Sequence, residues 1–399
     1  MTDDDLDIFD PHTDRRRPVR KPAKRKKKNR KFLWIGMAVV LALIAGGGYY
    51  GIRQIMDIGN YDDYTGQGDK QVVIEVESGD STGEIAATLV DSDVVASSSA
   101  FIVAAEADTR VRAVQPGFYV MKTKSSGKAA VGQIVDPEAR VGNMEIIPGT
   151  LLHDITLTND EVNPGIVSKL AEASCAELNG ESTCVPAEQL WNSAKKADLA
   201  ALGVPEWAIG PASRAEPERR LEGLIMPGIY HVRPGATADE LWKMLVTDSA
   251  TRMQAVGMPD IANETGFTPY QVLIMASLIE REAIEKDFGK VSRVTYNRLA
   301  EDMRLQYDST VNYVLDRPTI RTDGSDRERE GPYNTYQNTG LTPTPISAPS
   351  EAAIKAAVSP EKGPWLYFVR CQTDGTSCFA VTDEEHQQNV DDALDRGAY

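Results

Sequence analysis

The sequence predicts an α+β protein carried on a single N-terminal transmembrane helix. Three observations predict it. An uncharged stretch, residues 32–52, directly follows a basic run. Beyond it, short β-patterned segments recur, with Gly-containing turns and helix-start signals behind them. A helix from Thr268 to about Glu285 is apolar on every side from Val272 to Ile279 except at Ser277, as a helix inside a core is.

The N-terminal region sets the topology. Residues 1–31 hold 12 Lys and Arg and 6 Asp, a net charge of +6, in a chain whose formal charge is −16. The 368 residues that follow therefore carry −22. Segment 1–31 is read as a disordered tail. The 21 residues of 32–52 are enough to cross a hydrocarbon core as a helix, and Trp34 and Tyr49–Tyr50 mark its ends. The positive-inside rule leaves the tail in the cytoplasm and everything from about residue 53 outside, on a cell membrane whose anionic lipid the tail would contact. The apolar stretch is long for a signal peptide and no Ala-x-Ala site follows it, which favours an uncleaved anchor. So acidic an exterior excludes nucleic acid as a partner, since phosphate binding needs clustered Lys and Arg.

Four cysteines lie beyond the anchor as two local pairs, Cys175/Cys184 and Cys371/Cys378. In an exported chain that pattern suggests disulfides. A two-residue turn at Asp374-Gly375 would put Cys371 directly opposite Cys378, with alpha carbons ~5.5 Å apart. Neither pair has zinc-ligand spacing and the four histidines are scattered, so no metal and no cofactor is expected.

After a linker, 53–70, small units repeat across 71–160. Strand Val72–Val76 leads to a turn at Gly79 and a capping box, Ser81-Thr82-Gly83-Glu84, opening the helix Ile85–Leu89. Strands Met144–Ile147 and Tyr230–Val232 are followed by Pro148-Gly149 and Pro234-Gly235. In all three an acid stands five residues after the glycine, and Ile or Leu six after. A second echo is Pro116-Gly117-Phe118-Tyr119 against Pro227-Gly228-Ile229-Tyr230. These read as strand–turn–helix units of roughly the LysM kind. Residues 161–220 interrupt them as a helical insertion, with helices expected at about 161–173 and 186–202 and the first cysteine pair between them.

The central helix starts at a capping box, Thr268 with Gln271, with Pro269 at its first position. Near its end stand two glutamates. Glu282 has Lys286 four residues on, the spacing of a helix ion pair, and reads as solvated. Glu280 shares a helical face with Ala276, Ser277, Ala283 and Ile284 and has no Lys or Arg three or four residues away. A carboxyl held against such side chains resists ionisation, which suits a general acid; a glutamate simply emerging into water is the alternative. A second helix is expected at 290–301, then loops carrying Gln306, Asp308, Asn334 and Tyr336, with 316–330 as a charged exposed loop. Uncharged hydrogen-bonding groups and rings on loops suit a sugar site.

The motifs Leu221-Glu222-Gly223, Leu278-Ile279-Glu280-Arg281-Glu282, Asn297-Arg298-Leu299, Arg304-Leu305-Gln306, Asp308-x-Thr310-Val311, Tyr333-Asn334-Thr335-Tyr336 and Gly340-Leu341 occur in that order. With Tyr367-Phe368-Val369 they make the chain resemble the endolytic murein transglycosylases, the YceG-like family, weakly before residue 220 and strongly from 221. The resemblance implies a catalytic domain over 221–395, with Glu280 as catalytic acid/base and Glu222, Gln306, Asp308, Asn334 and Tyr336 around it. It implies cleavage between N-acetylmuramic acid and N-acetylglucosamine in peptidoglycan strands, leaving 1,6-anhydro ends. Penicillin-binding proteins or other cell-wall synthesis machinery would be its partners. The chain departs from the family at Ser309, where proline is usual, at Pro227–Tyr230, and at Thr342, Thr344 and Ala348. Two other readings stand beside this one: a hydrolase pairing Glu280 with Asp308, and a non-catalytic glycan-binding scaffold for cell-wall synthases.

Overall fold

The computed structural model describes residues 61–157, 159–315 and 324–398. The tail, the anchor and the first part of the linker, 53–60, lie outside them. Among the described residues no helix is long and apolar enough to cross a membrane. The architecture is α+β, with small sheets set among helices.

The first core is built by β1 (Gln71–Val76), α1 (Thr82–Asp91), α2 (Ser98–Glu106), β2 (Gly117–Lys122), α3 (Gly127–Ile134) and β3 (Arg140–Val141). The strands make an antiparallel sheet in the order β1-β2-β3. The expected capping box is formed: Ser81 Oγ accepts from Glu84 N, and the Glu84 carboxylate accepts from Ser81 N at 2.7 Å. Ile74, Leu89, Phe101, Met121 and Ile134 close the core between sheet and helices. A Cβ on Gly127 would stand 2.1 Å from the Ala100 carbonyl oxygen, so only glycine lets α3 start this close to α2.

A second, larger core takes the rest of the chain to residue 379. It begins with β4 (Asn143–Ile146), the small hairpin β5 (Ile155–Thr156) and β6 (Val162–Asn163), and α4 (Ile166–Ala173). The helix expected from 161 starts later because β6 and then Pro164-Gly165 occupy its first turn. The unit after Gly149 is therefore not strand–turn–helix directly. Asp154 instead accepts from Gly165 N at 2.8 Å and Ser168 Oγ at 2.9 Å, so it steadies a helix that starts beyond an intervening hairpin.

The insertion expected as helical also carries a hairpin, β7 (Glu177–Leu178) and β8 (Glu181–Ser182). Its two-residue turn, Asn179-Gly180, has positive φ at both positions (56° and 84°), as a tight hairpin turn needs. The register sets Glu177 opposite Ser182, and one step further out Ala176 N donates to Thr183 Oγ1 at 2.8 Å. One step beyond that, Cys175 and Cys184 stand opposite each other and are bonded, with alpha carbons 4.0 Å apart. Cys184 is exposed, so this bond closes a surface hairpin.

Two helices follow, α5 (Ala187–Lys196) and α6 (Glu206–Arg214). The single helix expected over 186–202 stops at Lys196, because Asp198 turns the chain by accepting from the amides of Ala200 and Ala201. The insertion shares the larger core: Leu170, Leu190 and Ala208 join it, and the indole N–H of fully buried Trp242 donates to Leu190 O at 2.9 Å.

β9 (Gly228–His231) pairs antiparallel with β4, Asn143 opposite His231 and Ile146 opposite Gly228. Here the second echo acquires a structure. Tyr119 Oη donates to Gln115 O at 2.7 Å, and Tyr230 Oη donates to Met226 O at 2.6 Å, each four residues back. Gly117 and Gly228 both have φ near +140° (139° and 147°), and each begins the second strand of its pair.

Around the centre lie α7 (Ala238–Val256), α8 (Pro269–Glu282), α9 (Phe288–Ala300), α10 (Asp308–Asn312), α11 (Gly324–Glu328) and α12 (Glu351–Val358). β10 (Tyr367–Arg370), β11 (Ser377–Ala380) and α13 (Asp383–Asp395) follow. Within the stretch expected as a charged loop, residues 324–328 form the short α11, and 316–323 lie outside the described residues. Every residue of α8 from Val272 to Ile279 is buried. The buried Ser277 hydroxyl is used twice: Oγ donates to Ile274 O at 2.7 Å and accepts from Ile346 N at 3.0 Å. That second bond lays the proline-containing run 342–350 along α8.

The second cysteine pair is bonded too, Cys371–Cys378 with alpha carbons 5.5 Å apart. The route differs from the expectation. In the β10–β11 register Cys378 faces Val369, and Cys371 N donates to Thr376 O. Four residues, 372–375, make the turn, because Asp374 folds onto Thr376 N at 2.9 Å, and the bond crosses diagonally. The directly opposed geometry expected of this pair belongs instead to Cys175 and Cys184. Arg298, 5% exposed, holds the nearby strands with backbone carbonyls: Nε donates to Leu366 O at 2.6 Å, and Nη1 to Arg304 O at 3.3 Å and to Leu305 O.

Candidate active site

The site is assembled at the C-terminal end of α8. The helix stops there because Ala283 is extended (φ −144°, ψ 173°). Glu280, Arg281 and Glu282 thus form its last turn and point different ways.

Glu280 continues the face of Ala276 and Ser277 and meets the run laid along that face. Its Oε2 accepts from Ser350 N at 2.9 Å, and Ser350 is the N-cap of α12. Arg281 Nη1 donates to Gly149 O at 3.2 Å, tying the β4 loop to the helix end.

Glu282 is the correction. The helix pair with Lys286 does not form, since α8 ends at Glu282 and the extended Ala283 separates it from the 3-10 turn that carries Lys286; Lys286 Nζ pairs with Asp374 at 3.2 Å instead. Glu282 turns inward, where its Oε1 accepts from Ser309 N at 3.2 Å. Burial pushes its pKa up to about 7, the Asp308 charge adds to the rise, and Ser309 and Arg281 oppose it.

The loop residues gather on this second glutamate. Asp308 opens α10, and its Oδ1 accepts from Tyr336 Oη at 2.6 Å. Its Oδ2 pairs with Arg327 at 3.2 Å. Asn334, 3% exposed, holds the wall: Nδ2 donates to Arg327 O at 3.0 Å and Arg329 O at 2.6 Å, and Oδ1 accepts from Tyr336 N at 2.8 Å. Two antiparallel crossings fix the spacing, Gln306 N to Thr335 O at 3.1 Å and Tyr307 N to Thr335 Oγ1 at 3.0 Å. Gln306 itself is exposed and sits at φ +55°, a left-handed conformation unusual for a side chain this long.

Glu222 lies apart from these groups, 1% exposed. It accepts from Leu152 N at 3.2 and 3.4 Å and from Tyr313 Oη at 3.1 Å. The Arg219 guanidinium stacks on the rings of Tyr313 and Tyr333, 4.5 and 4.9 Å from their centroids. Burial raises the Glu222 pKa to about 7 against the pull of Leu152 N, Tyr313, Arg219 and Arg281. Gly223 must be glycine: φ is +72°, and a Cβ would stand 2.3 Å from Pro345 Cβ. Arg281 has charge interactions with Glu222, Glu280 and Glu282, so it stands between the two clusters.

Of the residues the sequence pattern singles out, the structure brings Asp308, Asn334 and Tyr336 together, and it adds Glu282 and Arg327 to them and Tyr313 to Glu222. Cys175, Cys184, Cys371 and Cys378 serve the two hairpins and not the carboxyl clusters. An open, largely apolar cavity of about 540 Å³, lined by Phe267, Gln271, Tyr296 and Leu341 among others, lies by the opposite end of α8 and touches none of these carboxyls. Among the described residues no three His, Cys, Asp or Glu side chains gather as metal ligands.

The sequence model of the YceG-like family matches residues 74–392, most of the chain and every residue of both clusters. The chain belongs to the YceG-like family. Relatives agree. An endolytic murein transglycosylase of Bacillus subtilis (strain 168) is 28% identical over 352 residues, 87% of this chain and 90% of the relative. One of Streptococcus pneumoniae serotype 2 (strain D39) is 26% identical over 371 residues, 89% of this chain but 64% of the longer relative. The crystal structure of a yceG-like protein of Listeria monocytogenes superposes with a TM-score of 0.53 at 25% identity, over 80% of this chain and 99% of that one. In this YceG-like chain Asp308, Asn334 and Tyr336 form a wall beside Glu282, and Glu280 meets the N-terminus of α12.

Proposed function

We propose that this protein is a lytic transglycosylase that cleaves peptidoglycan strands endolytically, with Glu282 as its acid/base. The observation that carries the choice of residue is the gathering of Ser309, Asp308, Tyr336 and Arg327 at the Glu282 carboxyl, where burial and the Asp308 charge raise its pKa to about 7. The transglycosylase relatives support the reaction class.

Protonated Glu282 gives its proton to the glycosidic oxygen between N-acetylmuramic acid and N-acetylglucosamine as that bond breaks. The muramic C1 gains oxocarbenium character. The C6 hydroxyl of the same sugar closes onto C1, and the Glu282 carboxylate takes the hydroxyl proton. The acid is thereby restored, a 1,6-anhydro end is formed and no water is consumed. The family resemblance implies Glu280 for this role; its carboxylate accepts the Ser350 amide, which suits support of α12.

A hydrolase would need a second carboxylate to activate water or attack C1. Asp308, engaged by Tyr336 and Arg327, suits a positioning role instead. A glycan-binding scaffold would have no use for a protonated Glu282. The proposal extends to the setting: anchor 32–52 in the cell membrane, N-terminus inside, a LysM-like module at 71–160 for glycan, and action on nascent strands beside penicillin-binding proteins.

The test is incubation of the purified protein, and of Glu282→Gln and Glu280→Gln, with isolated peptidoglycan, followed by mass spectrometry. Fragments one water lighter than hydrolysis products, lost only with Glu282→Gln, support the reading. Full-mass reducing ends turn it into a hydrolase. Loss only with Glu280→Gln returns the acid to that residue.

A further inference from the structure

We infer that Arg327 is a positioning residue, which fixes the proton of the neighbouring Glu282 and Asp308 carboxyls on Glu282. Three observations carry it.

The first is contact geometry. Arg327 Nη2 stands 3.2 Å from Asp308 Oδ2, and its guanidinium carbon lies 5.0 Å from the centroid of the Tyr336 ring. Tyr336 Oη occupies the other oxygen of the same carboxylate. The cation therefore covers Asp308, while Glu282 Oε1 takes a backbone amide.

The second is anchoring. Arg327 O accepts from Asn334 Nδ2 at 3.0 Å and from Gln337 Nε2 at 2.8 Å. Two side chains of the site's own wall thus fix the backbone from which the guanidinium reaches.

The third is the set of groups facing the pair. Asp308, Arg281, Tyr336 and Tyr307 interact electrostatically with Glu282. The tyrosines are held neutral by burial, which raises both phenols. Of the charged neighbours, Asp308 raises and Arg281 lowers the pKa of the Glu282 carboxyl. Two close carboxyls share protons as a pair unless something makes them unequal. A guanidinium on one of them does so. The proton then belongs to Glu282, the carboxyl proposed to meet the glycosidic oxygen, and this role rests on that reading.

The test is carried out on the full-length protein in detergent micelles, with 13C-labelled Glu and Asp carboxyls assigned through Glu282→Gln and Asp308→Asn. In the wild type, of these two carboxyls, the Glu282 signal carries the titration step near neutrality. In Arg327→Met that step is expected to divide between the Glu282 and Asp308 signals. The acid side of the kcat/KM profile on peptidoglycan should move up by about one pH unit, the low end expected of a half-exposed ion pair. Arg327→Lys should restore most of both. A Glu282 signal that still carries the whole step in Arg327→Met overturns the inference, as does a rate lowered equally at every pH. A divided step in a protein that releases no anhydro fragments sinks the proposed reaction and leaves the role of Arg327 standing.

Discussion

Ser309 N donates to Glu282 Oε1 at 3.2 Å, so the first turn of α10 fixes the carboxyl at the end of α8. The same turn carries Asp308, which makes one short helix responsible for both the placement of the acid and the charge beside it.

The two glutamates of α8 should separate cleanly. Glu282→Gln removes the transferable proton and should lower release of anhydro fragments about 10³-fold, within the usual range for a lost general acid. Glu280→Gln keeps an acceptor for Ser350 N and should stay within about tenfold of wild type, as initial rates on peptidoglycan will show.

Tyr336→Phe removes the hydroxyl that donates to Asp308 Oδ1 at 2.6 Å. A hydrogen bond to a charged group contributes roughly 1.5–3 kcal/mol. A fall in kcat/KM of about ten- to a hundredfold is expected, with an unchanged circular dichroism spectrum.

Glu222 should make stability depend on pH. Its pKa is about 7 in the fold against 4.5 for the free side chain. The folded state therefore binds the extra proton, and the contribution is complete below about pH 4.5 and lost as pH rises to about 7. Denaturant midpoints taken between pH 4.5 and 8 should fall less for Glu222→Gln than for wild type. Parallel curves for the two proteins would refute the assignment.

Replacing Cys371 and Cys378 together with Ala opens a loop of seven residues' separation. Chain entropy puts the loss near 2.5 kcal/mol. Urea unfolding should show it.

Much of the fold was legible where local chemistry decides it. The boxes at Ser81 and Thr268 formed as read, because a hydroxyl three residues before Glu or Gln satisfies helix-end amides without outside help. The burial of α8 followed from its composition. Glu282 was misread for the opposite reason. An i,i+4 pairing presumes that the helix continues, and α8 ends at that residue. Arg327 stood in a run of charges with no pattern to single it out; only the fold brings it to Asp308. The hairpin register around Cys371 was likewise decided by one side chain, Asp374, folding onto Thr376. The hairpin between Cys175 and Cys184 had a readable signal, Asn179-Gly180, which the helical reading of its flanks passed over.

Arg298 joins the carbonyls of Arg304 and Leu305, just before Gln306, to that of Leu366 at the edge of the terminal hairpin. The wall that carries Gln306 and Asp308 and the hairpin closed by Cys371–Cys378 are therefore one cooperative unit. Amide exchange at Gln306 and Tyr307 would report on loosening of β10 some sixty residues later in the chain, and a lesion in that distant hairpin would reach the reactive carboxyls as loss of order rather than loss of a contact.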